Sequence, residues 1–192
     1  MKFRASKDKL IEGLQQVQNI ISNRTTMPIL QNVLVEATED GLKLTTTDLD
    51  IAVTCEVEVT VQSRGVTTLP TKRLFTIIRE LPSAEIEFEV DSKNHASIRA
   101  GGAFFKILGL PADEFPPVTQ LEASTAITIQ QGRFKEMLRR TCYAMSVDEA
   151  RYVLTGLLVK FEQDKITMVA TDGRRLALAD DDVELTAAQV RS

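Results

Sequence analysis

The sequence is poor in the side chains that most enzyme active sites use. Its 192 residues include one histidine, two cysteines and no tryptophan. His95 lies in a polar stretch that predicts a hairpin loop, where a solvated turn residue is favoured over a catalyst. Cys55 and Cys142 lack CxxC spacing and lie in apolar patterns, which predicts buried free thiols. With so few Cys and His ligands, a zinc site is excluded.

Long apolar runs and common catalytic motifs are missing too. No stretch approaches the ~18 apolar residues of a membrane span, and the N-terminus lacks the apolar core of a signal peptide. We therefore expect a cytoplasmic chain with no membrane partner. HExxH, GxGxxG, GxxxxGK[ST] and GxSxG do not occur, so we expect no cofactor, no metal and no catalytic residue. Asp180–Asp182 could bind a divalent cation, but a solvated turn is the favoured interpretation.

The composition that remains is that of an ordinary globular protein. The chain is 43% hydrophobic and 26% charged, with a net charge of −4. These values exclude disordered and collagen-like chains. The acidic total also excludes a protein that binds nucleic acid with its whole surface. It leaves open how the charge is distributed.

An internal repeat organises the chain. Thr47-Asp48 recurs as Thr171-Asp172, 124 positions later, and the same offset places Leu30 on Leu154. From residue 30 to residue 48, six of 19 ungapped pairs are identical, where chance gives about one. The repeat predicts a domain of about 124 residues that begins twice in this chain.

Hydrophobic periodicity divides the chain further. It predicts helices at 7–21, 71–81 and 133–145, with Ser6 and Thr71 as caps of the first two. Strands follow each helix, with residues 51–61 and 154–162 among them, and a short strand at 126–130 precedes the third helix. The order is three βαβββ modules in an α+β fold, with helices on one face of antiparallel sheets. The proline-rich stretch 111–117 marks a boundary, which predicts domain one at 1–122, with two modules, and domain two at 123–192, with one.

The exposed faces of two predicted helices are basic. The cations are Lys72, Arg73 and Arg79 on the second helix and Arg133, Lys135, Arg139 and Arg140 on the third. The predicted strands carry the acidic residues instead. If the helices line one side of the protein, a local basic surface can bind phosphate in spite of the acidic total. Ordinary solvated helices are the alternative.

Several segments, in order along the chain, resemble the bacterial sliding clamp family, the beta subunit of DNA polymerase III. They are Met1-Lys2-Phe3, Met27-Pro28-Ile29-Leu30, Thr45-Thr46-Thr47-Asp48-Leu49, Leu110-Pro111 with Asp113-Glu114-Phe115-Pro116, Arg151-Tyr152, and Val169 to Ala177 with its Thr-Asp-Gly-Arg-Arg-Leu. The resemblance implies the DNA clamp fold, in which two subunits form a homodimer ring around duplex DNA. It implies a non-catalytic processivity factor that tethers the replicative polymerase to DNA without sequence specificity.

The resemblance also implies DNA contacts. They would be made by Arg24, Arg73 and Tyr152. The charge pattern adds the cations of the third helix as DNA contacts, namely Arg133, Lys135, Arg139 and Arg140. Asp148 and Val153 depart from the family pattern, because some members have an amide and a second aromatic there. The alternative for Arg24 is a solvated turn residue, and for Tyr152 a half-buried rim residue.

The family's polymerases and clamp loaders insert a short peptide, with Gln and apolar anchors, into a cleft. The resemblance places one wall of that cleft on Leu154, Thr171, Gly173, Arg174, Arg175 and Leu176. The alternative is that Thr171-Asp172-Gly173 is simply a tight turn, since Thr47-Asp48-Leu49 shares its first two residues. The specific signal is therefore the Gly-Arg-Arg-Leu half.

Length is the main departure from the family, whose members have three domains of roughly 110–130 residues. We expect this chain to be a fragment that stops midway through domain two and lacks domain three. No closed two-subunit ring is then expected, and peptide binding should be weak or absent. Two other functions stay open: a free-standing protein-interaction module that never touches DNA, and a metal-dependent nuclease that uses Asp172 and Asp180–Asp182.

Overall fold

The computed structural model describes residues 1–21, 27–118, 128–162 and 164–182. The chain divides into two compact units, Met1–Thr119 and Gln120–Ser192, called unit one and unit two below. Each is described by itself. The domain boundary at 122/123 stays a prediction.

Unit one contains nine strands and two α-helices in its described part. Their order is β1 (Lys2–Ser6), α1 (Lys7–Gln18), β2 (Asn32–Ala37), β3 (Leu42–Thr47), β4 (Ala52–Val57), β5 (Thr60–Ser63), β6 (Gly65–Pro70), α2 (Thr71–Glu80), β7 (Glu85–Val90), β8 (His95–Ala100) and β9 (Ala103–Leu108). A 3-10 helix at Pro28–Gln31 precedes β2. The strands form two antiparallel sheets, in the orders β5-β1-β7-β8-β9 and β4-β3-β2-β6.

The two predicted modules of unit one exchange their first strands. β1 pairs with β7, the first strand after α2, while β6 pairs with β2, the first strand after α1. Both sheets and both helices share one core, in which the Phe3 and Phe88 rings stack with centroids 4.8 Å apart. Neither module can therefore complete its sheet without the other.

Unit two repeats part of this arrangement. Its described elements are α3 (Gln131–Thr141), β10 (Leu158–Glu162), β11 (Lys165–Thr171) and β12 (Leu176–Asp182), with 3-10 turns at Cys142–Ala144 and Glu149–Leu154. The strands form one antiparallel sheet. α3 packs on β11 and β12, and its Met137 is buried with Ile166 and Met168. Antiparallel sheets with segregated helices confirm the α+β prediction.

Several predicted boundaries are wrong. The first helix ends at Gln18, not residue 21. The third spans Gln131–Thr141 and then tightens into a 3-10 turn. The strand predicted at 51–61 is two strands, β4 and β5, which belong to different sheets. The strand predicted at 154–162 begins at Leu158. Of the one predicted at 126–130, residues 128–130 are not a strand and the first two lie outside the described residues.

Individual side chains also differ from expectation. Ser6 precedes α1, but its side chain makes no capping hydrogen bond. Thr71 is the first residue of α2, not its cap, and its buried Oγ1 has no hydrogen-bond partner. Cys55 and Cys142 are free, as predicted, but only half-buried. Burial, with Glu12 and Glu56 nearby, raises the pKa of the Cys55 thiol.

Gly13 lets α1 approach the sheet of unit one. A Cβ at this position would collide with Cγ2 of Val57 and lie 3.4 Å from Cδ1 of Leu44. Both neighbours belong to the buried core, so neither can move without disturbing its packing. The glycine is required by close approach, although glycine is a poor helix former.

We expect Gly13→Ala to lower the free energy of unfolding by about 1 to 3 kcal/mol, because overpacking outweighs the gain in helix propensity. Gly132→Ala in α3 is the matched control, since its Cβ would meet nothing within 4 Å. It should be neutral or stabilise by up to about 1 kcal/mol. Urea unfolding followed by far-UV circular dichroism measures both, with amide hydrogen exchange assigning the change to α1. Equal effects of the two substitutions would contradict the packing argument.

Candidate nucleic-acid and peptide interfaces

The helix α3 presents four exposed cations, and two acidic residues partly neutralise them. The cations are Arg133, Lys135, Arg139 and Arg140. Glu136 accepts hydrogen bonds from Nε and Nη2 of Arg139, at 2.9 and 2.8 Å, and from Nε of Arg140, at 2.9 Å. Arg133 pairs with Asp181 of β12. Lys135 makes no ion pair with the described residues. This row of four is called the α3 cation cluster below, and it retains net positive charge.

Glu136 acts as an internal counter-ion within this cluster. The hydrogen bonds from Arg139 and Arg140 lower the pKa of its carboxyl to about 2. The same contacts raise the pKa of Arg139. Because these ion pairs are solvent-exposed, each contributes little net stability. A phosphate oxygen can therefore replace the carboxylate at small cost.

The cations of α2 are exposed as well. Arg73 lies in its first turn, while Arg79 pairs with Glu80 at 3.0 Å and its guanidinium lies 5.8 Å from the centre of the Phe75 ring. Arg24, the other predicted DNA contact of this unit, lies outside the described residues. Basic side chains are thus exposed on α2 and α3, as the sequence predicts.

Tyr152 lies in the 3-10 turn before β10 and is 78% exposed. The half-buried rim alternative is therefore wrong. The turn begins with Asp148, whose carboxylate accepts a 3.0 Å hydrogen bond from the backbone N–H of Ala150. The Tyr152 backbone carbonyl accepts a 2.7 Å bond from the Thr155 hydroxyl. The turn therefore has local restraints while the ring stays in solvent.

The Thr-Asp motif of unit two forms a tight turn between β11 and β12. The Thr171 hydroxyl donates to the carbonyl of Arg175 at 2.7 Å and accepts from the N–H of Gly173 at 3.1 Å. The Asp172 carboxylate accepts from the N–H groups of Arg174 and Arg175, at 2.9 and 3.0 Å, and these bonds hold its pKa below the usual range. Gly173 has a φ of +85°, where glycine is unstrained.

Unit one contains the same turn at the positions 124 residues earlier. The Thr47 hydroxyl donates to the carbonyl of Ile51 at 2.9 Å and accepts from the N–H of Leu49 at 3.0 Å. The Asp48 carboxylate accepts from the N–H groups of Asp50 and Ile51. Leu49 even shares the φ of +85°. The tight-turn interpretation is therefore correct for the Thr-Asp pair, and the two turns differ in the side chains that follow it.

The predicted peptide wall is brought together by this turn. Leu176 lies directly opposite Thr171 in the β11–β12 register and is 64% exposed. Leu154 ends the 3-10 turn before β10 and is half-buried. Arg151 from that same turn donates to the Asp172 carbonyl at 3.4 Å, which links the two segments. An exposed leucine beside arginines suits a peptide with apolar anchors.

Two residues that sequence reasoning missed extend this wall. Leu178 follows Leu176 on the same face of β12, and Val169 lies opposite it on β11. Leu178 is 59% exposed, whereas Ala177 and Ala179 are buried. Apolar residues at every position from 176 to 179 hide which face is buried, so the alternation gave no usable signal.

The acidic run at the end of unit two is part of strand β12, and the predicted turn is wrong. Asp180 accepts a 2.7 Å bond from Lys165, which lowers the Asp180 pKa and raises that of Lys165. Asp181 pairs with Arg133. No group of three potential metal-ligating residues occurs among the described residues. His95 begins β8, and its Nδ1 lies 3.1 Å from a carboxylate oxygen of Asp91 in the preceding turn.

Within the described ranges, no helix has the length and apolar character needed to cross a membrane.

Comparison with known proteins identifies the family. The profile of the DNA polymerase III beta subunit N-terminal domain matches residues 1–119, and that of the central domain matches residues 128–191. The chain is 37% identical to the beta sliding clamp of Chlamydia trachomatis over 185 residues, covering 96% of this chain and 44% of the relative. It is 38% identical to that of Bacillus subtilis over 186 residues, covering 93% and 49%.

Solved structures agree with the sequence comparison. The crystal structure of the DNA polymerase sliding clamp from Bacillus subtilis superposes with a TM-score of 0.91 at 36% identity, covering 97% of this chain and 51% of that one. The clamp fold predicted from the sequence is thus confirmed. The chain spans about half the length of the curated relatives it matches. With both its sequence and its fold matched to the same proteins, the chain belongs to the DNA polymerase III beta subunit family, the bacterial sliding clamps.

Proposed function

We propose that these residues act in a DNA sliding clamp, a cytoplasmic, non-catalytic processivity factor that tethers the replicative polymerase to duplex DNA. The observation that carries the proposal is the exposed α3 cation cluster on a clamp fold. Lys and Arg side chains attract phosphates of any sequence and read no bases. A tether that must slide needs this kind of contact.

The proposed DNA contacts are those expected from the sequence: Arg24, Arg73, Arg133, Lys135, Arg139, Arg140 and Tyr152. The proposal is supported by the solvent exposure of their side chains, since each of these residues that lies within the described ranges is exposed. Phosphate binding would release Arg139 and Arg140 from Glu136. Such an exchange replaces one charge-assisted hydrogen bond by another, so the attraction stays moderate.

The partners proposed beside DNA are the polymerase and the clamp loader. Their peptides would bind along Leu154, Thr171, Gly173, Arg174, Arg175 and Leu176. The support is the contrast between the two units, because the positions of unit one that match Arg174, Arg175 and Leu176 hold Asp50, Ile51 and Ala52. The turn is kept in both units, but only unit two follows it with two arginines and an exposed leucine at position 176, where unit one has Ala52.

A homodimer ring is part of the same proposal. β9 is the last strand of its sheet, so its outer edge pairs with no strand in the described part of the chain, and it exposes Phe104 and Leu108. Exposed strand edges with apolar side chains pair readily with another chain. That these residues alone form no closed ring stays a prediction.

The nuclease alternative gains no support, because Asp180 and Asp181 are bound by Lys165 and Arg133.

The DNA interface is tested by removing and by strengthening its charge. We expect the double variant Arg139→Ala, Arg140→Ala to weaken duplex binding and to reduce the slope of log affinity against log salt by about 2. Glu136→Gln should tighten binding, since it frees both arginines. Fluorescence anisotropy with two unrelated duplexes measures both effects at several salt concentrations.

Lys160→Ala is the matched control for this experiment, because Lys160 is an exposed cation on β10 that pairs with Glu162. It should leave affinity and salt slope unchanged. A double variant that behaves like Lys160→Ala, or an affinity that depends on the base sequence, would contradict the proposed interface.

The peptide site is tested by Leu176→Ala. In the chain as it stands we expect weak binding of a short Gln-containing peptide, with NMR shift changes confined to Leu154 and the 171–176 turn. Removing the exposed Leu176 side chain should weaken it about tenfold or more, because an anchor loses its apolar contact. Leu49→Ala, at the equivalent turn of unit one, is the control and should have no effect. Shift changes centred on unit one would exclude the proposed wall.

A further inference from the structure

The dipeptide Asp-Gly occurs twice in this chain, at Asp40-Gly41 and at Asp172-Gly173. In such a pair the glycine nitrogen can attack the carboxyl of the preceding aspartate and close a five-membered succinimide ring. Glycine favours this reaction because it has no side chain to hinder the approach of its nitrogen. In a folded protein, the reaction depends on what holds the carboxyl group and the nitrogen.

At the second pair both reacting groups are held. The Asp172 carboxylate accepts hydrogen bonds from the N–H groups of Arg174 and Arg175 and from Nε of Arg175. The Gly173 N–H donates to the Thr171 hydroxyl at 3.1 Å. Ring closure uses the neutral carboxylic acid, whereas these bonds favour the ionised form and lower the Asp172 pKa. The β11–β12 turn therefore protects this pair.

At the first pair neither group is held. Asp40 is exposed in the turn between β2 and β3, and its carboxylate makes no hydrogen bond or ion pair with the described residues. The Gly41 N–H donates to none of them either, although the Gly41 carbonyl accepts a 2.9 Å bond from the Thr38 N–H. The Asp40 side chain can therefore rotate toward the next nitrogen without breaking a contact.

The fold of unit one requires glycine at position 41. Its φ is +146°, and a Cβ there would lie 3.0 Å from the carbonyl oxygen of Val57. The matched hairpin of unit two, 124 residues later, has Asp164-Lys165 instead. The lysine side chain hinders attack by its own nitrogen. Reactivity is thus expected in the hairpin of unit one and not in its counterpart.

Solvent access and hydrogen bonding favour opposite pairs. Gly173 is exposed, whereas Gly41 is buried. Ring closure joins two adjacent residues and needs no outside reagent, so the hydrogen bonds that must break first set its barrier. Water is needed only to open the ring, and the tip of a hairpin admits water by local opening. Hydrogen bonding therefore decides which pair reacts.

We propose that Asp40-Gly41 is a modification site at which aspartate converts to isoaspartate. The Gly41 nitrogen attacks Cγ of Asp40, an N–Cγ bond forms, and the carboxyl hydroxyl leaves with the amide proton as water. Water then cleaves the ring between the nitrogen and the α-carbonyl carbon. The chain continues through Cγ, the α-carboxylate is released, and no oxidant or reductant takes part.

The product is a substrate for a carboxyl methyltransferase that recognises isoaspartate. Such an enzyme transfers a methyl group from a sulfonium donor to the released α-carboxylate. The nitrogen then displaces methanol from this ester, and the succinimide forms again, which is the route back to aspartate. Because the isoaspartyl backbone is one carbon longer, the bond between Thr38 and the Gly41 carbonyl should weaken. The inference does not rest on DNA or peptide binding.

The test compares the full chain, folded and in guanidinium chloride, during weeks of incubation at neutral pH. Tryptic peptides are separated by chromatography, and electron-transfer fragmentation distinguishes isoaspartate from aspartate. In the folded chain, isoaspartate should form at position 40 about tenfold or more faster than at position 172, because the latter must first lose charge-assisted hydrogen bonds. In denaturant the two rates should be similar, since neither carboxylate is held.

Asp40→Glu is the decisive variant, because it keeps the charge while glutamate would have to close a less favourable six-membered ring. Purified isoaspartyl methyltransferase with labelled S-adenosylmethionine should methylate the aged folded chain, and this variant should reduce the label to background. Asp50→Glu, an exposed residue of the β3–β4 turn, is the matched control and should leave the label unchanged. Circular dichroism checks that both variants fold.

Three results would overturn the proposal. The first is a folded chain without isoaspartate at position 40. The second is isoaspartate at position 172 that forms as fast or faster, because access would then outweigh hydrogen bonding. The third is a methyl label that Asp40→Glu retains, which would place the reactive aspartate elsewhere.

Discussion

The exchange of first strands between the two halves of unit one is the constraint on which its structure depends. β1 and β6 each lie in the sheet of the other half. An exposed strand edge leaves backbone N–H and C=O groups unpaired, so each half needs the other to satisfy its edge. The exchange also brings both sheets and both helices into one core. Exposed side chains on α2 are therefore held by contacts that span the whole unit.

The matched turns of the two units share a backbone conformation but carry different side chains. Thr47-Asp48 and Thr171-Asp172 make the same hydrogen bonds to the backbone of their turns, so the motif itself builds the turn. Asp172 in addition accepts a 3.0 Å hydrogen bond from Nε of Arg175. The side chains after the motif can differ because the hydrogen bonds that build the turn come from backbone N–H groups. Leu49 is tolerated at a φ of +85°, although that region costs a non-glycine residue about 1 kcal/mol or more. Gly173 avoids that cost.

The sequence predicted the element types and their order well, because period-2 and period-3.6 patterns report local burial. It did not predict the strand exchange, since a pattern along one strand says nothing about which distant strand pairs with it. The helix ends were overestimated where an apolar residue continued the spacing, as at Ile21, which is buried without being helical. The break at Glu58-Val59 was missed because the alternation of residues 51–61 runs through it.

For the candidate sites as well, the sequence predicted the features that follow from local patterns and missed those that depend on packing. Cations on α3 were predictable, because charged residues on an amphipathic helix lie opposite its core face. Of the ion pairs that these cations make, some were predictable from the sequence. Glu136 and Arg140 are four residues apart, a spacing that permits contact on a helix. Arg133 and Asp181 are distant in the sequence and meet only because α3 packs on β12. The exposure of Leu176 and Leu178 was hidden, since β12 buries alanines and exposes leucines. Unit one has Thr54 and Ala52 at the positions that match Leu178 and Leu176, so the sheet does not require leucine at either position.

That comparison separates residues the fold needs from residues it merely tolerates. Two copies of one backbone within a chain act as an internal control: a side chain kept at both positions, such as Thr47 and Thr171, is explained by the turn it builds. A position that is polar and satisfied in one copy but apolar and exposed in the other, such as Thr54 and Leu178, has no such explanation. Burial is worth about 25 cal/mol per Å² of apolar surface, so an exposed leucine at such a position adds little to the stability of its unit. The difference between the repeats therefore separates the residues that build the fold from the positions at which the fold permits more than one side chain.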